Sequence, residues 1–367
     1  MYCKRIKAKN FRNIEQADVA FDDGVNILVG ENAQGKTNLL ESLFYVSVGK
    51  SFRAGHSAEI IRFGESFSEL ELDYNDGIRD QSIKMQIFRD RQRRVEKNRV
   101  RIDKMSDIVG SFRAVLFCPE HLSLIKEGPA MRRNYMDIAI SRLYPLYMKT
   151  LQRYNYILKQ RNALIKNSYN DRSSFDATAE LWSLQLAHEA AAISKYRAEF
   201  IKRVNGYVAR CFSDMTGERE KTSISYSGSA HLEEDGYFDA AETEKKYISL
   251  LTSSYEREIS AGATLWGIHK DDIDIKLNEK PARLYCSQGQ QRSLALSLKI
   301  AEGEICRDEF GDYPVLLLDD VLSELDASRR GYLISEMDSK QVIMTCCESV
   351  FNKDASIIKV ENGRYIR

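Results

Sequence analysis

The sequence is poor in the features that mark secreted, membrane-spanning and metal-binding proteins. Its seven cysteines are scattered without a Cys-x-x-Cys pair, and their odd number argues against a disulfide framework or a structural zinc site. No stretch approaches the ~18 apolar residues of a membrane span, and the first residues lack an apolar signal core. The five histidines show no metal-ligand spacing. We therefore expect a soluble, cytoplasmic protein in a reducing compartment.

An excess of charge of one sign is also missing, because 54 Lys and Arg residues balance 54 Asp and Glu residues. Any affinity for nucleic acid must then come from local patches. The 367 residues, 43% of them hydrophobic, are enough for two or three domain-sized cores. There is no repeat of fixed period and no long heptad array.

The periodicity of apolar residues changes twice along the chain. Short or alternating apolar runs predict strands up to residue 118, interrupted by one helix that starts near Gly35. Helical spacing dominates from about residue 130 to 260, with a break expected at residues 167–174. Beyond residue 264, strands at 273–277, 315–318 and 342–345 alternate with helices, which suggests a parallel sheet. We expect an α/β domain built from residues 1–118 and 264–367, with a mainly helical lobe, residues 119–263, inserted between them.

A phosphate-binding loop is the clearest motif. Residues 30–37 read GENAQGKT, follow the strand-like run Val25–Val29 at once and precede a helix, which is the context that GxxxxGK[ST] requires. Glycines let backbone N–H groups surround the phosphates, Lys36 reaches the terminal phosphates and Thr37 can ligate Mg²⁺. The alternative is a glycine turn without a ligand. The motif predicts ATP and Mg²⁺ as cofactors, with nucleotide contacts from Gly30, Glu31, Asn32, Ala33, Gln34, Gly35, Lys36 and Thr37.

A second acidic motif lies near the other end of the chain. Residues 314–320, PVLLLDD, have the pattern of a buried strand that ends in two carboxylates. Asp319 would hold Mg²⁺ directly or through water, whereas Asp320 would orient or activate the attacking water. Asp320 and Lys36 are the predicted catalytic residues, and ADP and phosphate the products. The alternative is a core strand capped by solvated acids.

Two further stretches flank the acidic pair. Residues 287–292, SQGQQR, begin a predicted helix before it, and residues 323–326, SELD, follow it directly. Here the sequence resembles the ABC-type ATPases, in which an SxGQ-like signature precedes the acidic strand and a D-loop follows it. The resemblance implies that Ser287, Gly289 and Gln290 contact the γ-phosphate of a nucleotide on a second subunit, so that ATP holds a head-to-tail homodimer together. Without the resemblance, the stretch is a polar helix cap.

The combined pattern resembles the RecF family of bacterial DNA recombination and repair proteins, with a short helical lobe in place of long coiled-coil arms. The resemblance implies an ABC-type ATPase head that dimerises on DNA, and it places Arg12 and Arg53 beside the nucleotide. It further implies a role with RecO- and RecR-like partners in loading a recombinase at single-stranded gaps. The motifs are residues 10–13, 30–38, 49–53, 116–120, 132–133 with Asp137, 267–272, 287–292 and 318–326.

Some positions depart from the wider ABC class. Asp320 stands where glutamate is usual, and Thr345 lies near the place of the expected switch histidine. No Q-loop glutamine is evident, and Pro119 and Glu120 occupy the corresponding connection. The shorter acid and the missing histidine suggest slow turnover, and we expect a weak, DNA-stimulated ATPase that acts mainly as a switch. His269 is given no role.

The densest basic run spans residues 89–101, within a predicted hairpin that holds few acids. Each cation could neutralise one phosphate, so the run predicts a sequence-independent contact with single-stranded or gapped duplex DNA. The alternative is a solvated hairpin whose charges discourage edge pairing. Residues 149–166 form a second basic candidate, which a merely solvated helix face explains better. The predicted DNA contacts are Arg91, Arg93, Arg94, Arg99 and Arg101.

Two other functions share the nucleotide motifs. One is the nucleotide-binding subunit of a membrane transporter, which the strand-rich N-terminal region and its basic hairpin speak against. The other is a scaffold whose ATP site only stabilises the fold. We favour an ATP-dependent DNA-binding switch.

Overall fold

The computed structural model describes residues 1–346 and 355–366. The chain divides into two compact units. One contains Met1–Leu122 and Arg292–Arg367, and we term it the composite unit because two chain segments build it. The other, the inserted unit, is the continuous segment Ser123–Gln291.

Strands dominate the composite unit, and short ones occur in the inserted unit. They are β1 (Tyr2–Phe11), β2 (Ile14–Ala20), β3 (Val25–Val29), β4 (Phe67–Asn75), β5 (Asp80–Phe88), β6 (Arg94–Lys97), β7 (Val100–Ile102), β8 (Ala114–Phe117), β9 (Thr222–Ser227), β10 (Asp272–Leu277), β11 (Lys280–Pro281), β12 (Val315–Leu318), β13 (Val342–Cys346), β14 (Ser356–Glu361) and β15 (Arg364–Ile366).

Helices dominate the inserted unit. The α-helices are α1 (Lys36–Val48), α2 (Ser123–Lys126), α3 (Pro129–Leu143), α4 (Pro145–Asn167), α5 (Arg172–Thr216), α6 (Ala240–Ser253), α7 (Tyr255–Ala261), α8 (Ala282–Tyr285), α9 (Gln288–Phe310) and α10 (Ala327–Ser335).

Both chain segments of the composite unit contribute to one sheet, whose strand order is β15-β14-β3-β13-β12-β8. Only β14 and β15 pair antiparallel; the other neighbours are parallel. β12 is apolar and buried along its whole length, as expected for a parallel strand covered on both faces. The Gln341 side chain ties the segments further, because it accepts from the backbone N–H of Cys3 and donates to its C=O. The expected assembly of this sheet from both ends of the chain is confirmed.

A second sheet of the composite unit is antiparallel, with the order β2-β1-β4-β5-β6-β7. Burial alternates strictly along β4, so one face of this sheet packs on the core. Helix α1 contacts β1 and β4 of this sheet and also β8, β12 and β13 of the parallel sheet. Its side chains from Leu39 to Val48 are buried, which is typical of a helix surrounded by other elements. The loop that precedes α1 is thereby fixed on a rigid support.

The inserted unit is organised around the 45-residue helix α5, which packs against α4, α6 and β9. Asp171 caps the start of α5 by accepting from the backbone N–H of Ser174, and Gly217 ends it in the left-handed region. The break predicted at residues 167–174 agrees with the end of α4 and the start of α5. None of the helices within residues 1–346 and 355–366 is long and apolar enough to cross a membrane.

The region between residues 220 and 291 departs from the sequence-based expectation. β9 lies in a region where the sequence predicts only helix. Its alternating Ser, Thr and Tyr residues are not strongly apolar, so they give no clear strand pattern. β10 pairs antiparallel with β9 in a separate sheet, β11-β10-β9, so its assignment to the parallel sheet was wrong. This pairing also places residues 264–291 in the inserted unit, whereas the sequence places the boundary at residue 263.

Buried polar groups hold the inserted unit together. The Arg197 guanidinium donates to Asp137 and Asp271 at 2.8 and 3.0 Å, and Arg161 donates to Glu258 at 2.6 Å. Burial raises the pKa of Asp271, an effect that the Arg197 charge opposes. His269 lies 2.6 Å from the Tyr154 hydroxyl, and burial lowers its pKa to about 4. His269 is therefore a neutral structural residue of this unit at physiological pH.

Candidate nucleotide site

The phosphate-binding loop connects β3 to α1 in a conformation that needs its glycines. Gly35 precedes α1 with φ 109°, a value that favours glycine. Gly30 lies so close to β14 that a Cβ would collide with the Val360 carbonyl oxygen. Ala33 also has a positive φ, 65°. The backbone thus takes the tight turn that the GxxxxGK[ST] pattern predicts.

Lys36 points back across the loop. Its Nζ donates to the carbonyl oxygens of Gly30 and Glu31, at 3.0 Å for Glu31, and the side chain is buried. An ammonium held over the loop in this way lies where phosphate charge would be neutralised.

The first of the two acidic residues at the end of β12 bonds to Thr37, at the end of the loop motif. The Thr37 hydroxyl donates to Asp319 Oδ1 at 2.8 Å, although 282 residues separate the two. Asp319 is 6% exposed, whereas Asp320 is exposed and has φ 51°. Ser323 Oγ donates to Asp320 Oδ1 at 2.9 Å, which restrains this carboxylate. The structure brings Lys36, Thr37, Asp319 and Asp320 together within the composite unit.

Thr345, on β13, bridges the acidic pair. Its hydroxyl donates to Asp319 Oδ1 at 2.9 Å and accepts from the backbone N–H of Asp320 at 2.9 Å. Sequence reasoning notes Thr345 only as the residue near the place of the missing histidine. The structure shows it as a direct link between the buried carboxylate and the backbone of the exposed one.

The groups around Asp319 shift the pKa of its carboxyl group in both directions. Burial raises the pKa of its carboxyl group, while the hydrogen bonds from Thr37 and Thr345 oppose that rise. The nearby Glu120 raises the pKa further and the Arg53 guanidinium lowers it. A cation beside Asp319 would favour its ionised form.

The donor set fits a magnesium ion. Thr37 Oγ1 and Asp319 Oδ1 are hard oxygen atoms 2.8 Å apart, and Mg²⁺ prefers few protein oxygens together with phosphate and water. Among the described residues there is no cluster of three or more His, Cys, Asp and Glu side chains that could hold a metal by itself. A protein contribution of one hydroxyl and one carboxylate is what a nucleotide-dependent magnesium site requires.

Arg12 and Arg53 lie at one side of the loop, where they line a concave surface with Asn13 and Asn38. Arg12 donates from Nη2 to the fully buried Glu41 at 2.7 Å, and this ion pair fixes its guanidinium. Arg53 donates to Asn38 Oδ1 at 3.3 Å. Both arginines therefore contact side chains of α1, and their expected place beside the nucleotide stays a prediction.

Residues 287–290, in the inserted unit, form a capping box at the start of α9. The backbone N–H of Gln290 donates to Ser287 Oγ at 3.3 Å, and Gln290 Oε1 accepts from the backbone N–H of Ser287 at 2.7 Å. Gln290 Nε2 also donates to Glu220. Ser287 is exposed and Gly289 is half-buried. The helix-cap alternative is thus realised, with the Ser287 side chain still open to solvent.

Comparison with known proteins decides the family. The RecF/RecN/SMC N terminal domain family model matches residues 2–364. The DNA replication and repair protein RecF of Ruminiclostridium cellulolyticum is 40% identical over 369 residues, which cover 99% of this chain and 98% of that protein. RecF of Clostridium tetani is 35% identical, with both chains covered completely. The chain belongs to the RecF family.

Solved structures agree with this assignment. "Structure of the recombination mediator protein RecF-ATPrS in RecFOR pathway" superposes with a TM-score of 0.93 at 32% identity, covering 100% of this chain and 97% of that one. A RecF-ATP structure of the same pathway gives 0.91 at 32% identity, covering 99% and 96%. An Smc head bound to the C-winged helix domain of ScpA, 16% identical, shares the fold with a TM-score of 0.57, covering 100% and 96%. The predicted ABC/SMC-type ATPase head fold is confirmed.

The basic run of this RecF-family chain separates into structural and exposed arginines. Arg93 donates to the Gly49 carbonyl at 2.7 Å and to the Tyr45 hydroxyl at 3.2 Å, so it holds the end of α1. Arg91 lies 3.9 Å from the Phe88 ring, and Arg101 pairs with Asp103 at 3.4 Å.

Arg94 and Arg99 are the other two predicted DNA contacts of this run. Both are exposed, and neither side chain forms an ion pair or a hydrogen bond within residues 1–346 and 355–366. These two side chains are the best placed of the predicted DNA contacts.

Proposed function

We propose that this protein is an ATP-dependent DNA-binding protein of recombinational DNA repair and replication restart, which binds DNA without reading its sequence. The observation that carries the proposal is the Thr37–Asp319 hydrogen bond, which joins the phosphate loop and the acidic strand into one site. Relatives at 33–40% identity are named DNA replication and repair protein RecF, and two similar structures are named as RecF with ATP or ATPrS.

The loop would hold the β- and γ-phosphates of ATP. Backbone N–H groups of the loop and the start of α1 supply donors, and Lys36 supplies a positive charge. Thr37 and Asp319 would hold Mg²⁺, which neutralises phosphate charge when bound.

Hydrolysis would depend on Asp320. Its carboxylate would orient the attacking water and accept a proton from it. The water oxygen attacks the γ-phosphorus while the bond from the γ-phosphorus to the bridging oxygen breaks, giving ADP and phosphate. Aspartate is one methylene shorter than the glutamate usual in the ABC class. We therefore expect slow turnover, and we propose a weak, DNA-stimulated ATPase that acts mainly as a switch.

Two copies of the chain would form the active species. The exposed Ser287 and the half-buried Gly289 at the start of α9 suit contact with the γ-phosphate on a second copy. ATP binding would close the dimer on DNA, and hydrolysis would open it. Single-stranded or gapped duplex DNA is the proposed substrate, and RecR- and RecO-like mediators are the proposed partners in recombinase loading.

The test is binding of the full chain to duplex, single-stranded and gapped DNA, with and without ATP and Mg²⁺. ATP should raise the affinity for at least one of these at least about tenfold, and Lys36→Ala should abolish the increase in a protein that is still folded, because it removes the positive charge from the phosphate site. If the DNA affinity of the wild-type protein is the same with and without ATP, the proposal is contradicted. If Lys36→Arg loses thermal stability without any change in DNA binding, the site serves only as a scaffold.

A further inference from the structure

The hairpin formed by β14 and β15 ends in a turn that faces the phosphate loop. Glu361 pairs with Arg364, and the two residues between them, Asn362 and Gly363, have φ 49° and 73°. Two positive φ values and the Asn-Gly sequence define a type I′ turn. A turn of this type is rigid and directs its backbone N–H groups in a fixed way.

Three donors of this hairpin reach the loop. The Asn362 N–H donates to Gln34 Oε1 at 2.5 Å, and the Gly363 N–H donates to the Gln34 carbonyl at 3.2 Å. The Tyr365 hydroxyl donates to the Gly35 carbonyl at 3.0 Å. Burial raises the pKa of Tyr365, which keeps this hydroxyl protonated and able to donate.

Asn13, in the turn between β1 and β2, completes the set. Its Nδ2 donates to the Ala33 carbonyl at 3.2 Å, and its Oδ1 accepts from Asn38 at 2.6 Å. Three consecutive carbonyls of the loop, those of residues 33, 34 and 35, are therefore held by side chains or backbone from outside the loop.

Because the peptide bond is planar, these contacts also fix the direction of the N–H groups in the phosphate loop. In a planar trans peptide, the C=O of one residue and the N–H of the next point in opposite directions. Holding the carbonyls of residues 33–35 outward therefore turns the N–H groups of Gln34, Gly35 and Lys36 toward the opposite side. Those N–H groups are the donors that a phosphate loop offers to its ligand.

We propose that Tyr365 and the Asn362–Gly363 turn, together with Asn13, are positioning residues that set the N–H array of the phosphate loop and so the affinity for ATP. The proposal rests on the proposed nucleotide site. It assigns a function to β14 and β15, the last two strands of the composite unit. None of these residues belongs to the GxxxxGK[ST] pattern.

Tyr365→Phe tests the proposal because it removes one donor and keeps the ring. ATP affinity of the full chain, measured by isothermal titration with Mg²⁺, should fall about three- to tenfold, the effect of one lost hydrogen bond. The melting temperature without nucleotide should stay close to that of the wild type, while the rise in melting temperature on adding ATP should shrink.

Tyr74→Phe is the matched control. Tyr74 is a buried tyrosine of β4 whose hydroxyl bonds to Ser111 and does not touch the loop. It should leave ATP affinity unchanged. Unchanged ATP affinity in Tyr365→Phe, or equal losses of ATP affinity and stability in both variants, would overturn the proposal that these residues position the loop. Failure of the wild-type protein to bind ATP would instead refute the nucleotide site itself.

Discussion

Thr345 is the residue whose role the structure changes most. Its hydroxyl is a donor to Asp319 and an acceptor from the Asp320 N–H, so one atom links the carboxylate of the proposed metal ligand to the backbone of the proposed water-orienting residue. A histidine that contacts the γ-phosphate would act on the nucleotide directly. We expect Thr345 to act through the acidic pair instead.

Replacing Thr345 by valine keeps its shape and removes both hydrogen bonds. Because the buried Asp319 loses a donor and the Asp320 N–H loses its acceptor, we expect ATP turnover to fall about tenfold or more. ATP affinity should change much less, since the loop contacts remain. Thr345→Ser keeps the hydroxyl and should retain most of the turnover; equal rates in the two variants would show that the hydrogen bonds are unimportant.

Sequence predicts the site residues that belong to contiguous motifs, such as Lys36 and Thr37. It misses Tyr365 and the bridging role of Thr345, because their contacts join residues far apart in the chain. The Asn362–Gly363 dipeptide signals a hairpin turn, but no local rule states that this turn faces Gln34. Such tertiary contacts become visible only once the sheet order is known.

At the scale of elements, the hairpin of β6 and β7 carries the exposed part of the basic run. Arg93 is engaged with the end of α1, so its substitution would mix a structural defect with any loss of DNA contact. Arg94 and Arg99 avoid this problem because both are exposed and their side chains form no hydrogen bond or ion pair within the described part of the chain.

Arg94→Ala combined with Arg99→Ala should weaken DNA binding and reduce the slope of log affinity against log salt by about 2, because up to two phosphate contacts are lost. ATP affinity should not change. Lys245→Ala with Lys246→Ala removes two exposed charges from α6 and should leave the slope intact. An unaltered slope in the arginine variant would exclude the hairpin as the DNA contact.

Most elements follow from periodicity, and the exceptions have a physical reason. β12 is a continuous apolar run and β3 is apolar except for Asn26, and both are interior strands of their sheet, which makes them easy to identify. β9 is short and rich in Ser, Thr and Tyr, and it is a strand because β10 pairs with it. A weakly apolar strand between helices carries no signal of its own, so its partner β10 was assigned to the wrong sheet.

At the scale of the whole molecule, the proposed dimer gives a function to apolar side chains on α8. Leu284 and Tyr285 are 73% and 64% exposed, and they immediately precede the exposed Ser287 region. Large apolar side chains next to a proposed contact with a second copy would be covered in the dimer.

Light scattering with a non-hydrolysable ATP analogue should show dimers of the wild-type protein, and Ser287→Arg should prevent them. Leu284→Asp should weaken dimerisation at least about tenfold while leaving ATP affinity unchanged, because it puts a charge in an apolar contact. Leu181→Asp changes another exposed leucine, on α5, and serves as the control. A wild-type protein that stays monomeric even with DNA present would rule out the dimer.

The interleaving of the two chain segments has a consequence for biosynthesis. The inserted unit is continuous, so it can complete its core while the ribosome is still translating the remainder. β3 cannot acquire β13 and β14 as neighbours until the end of the chain emerges, and the turn that touches Gln34 lies 328 residues after it. The nascent protein therefore carries an unpaired β3 edge for most of its synthesis, and nucleotide binding becomes possible only as the last strands join.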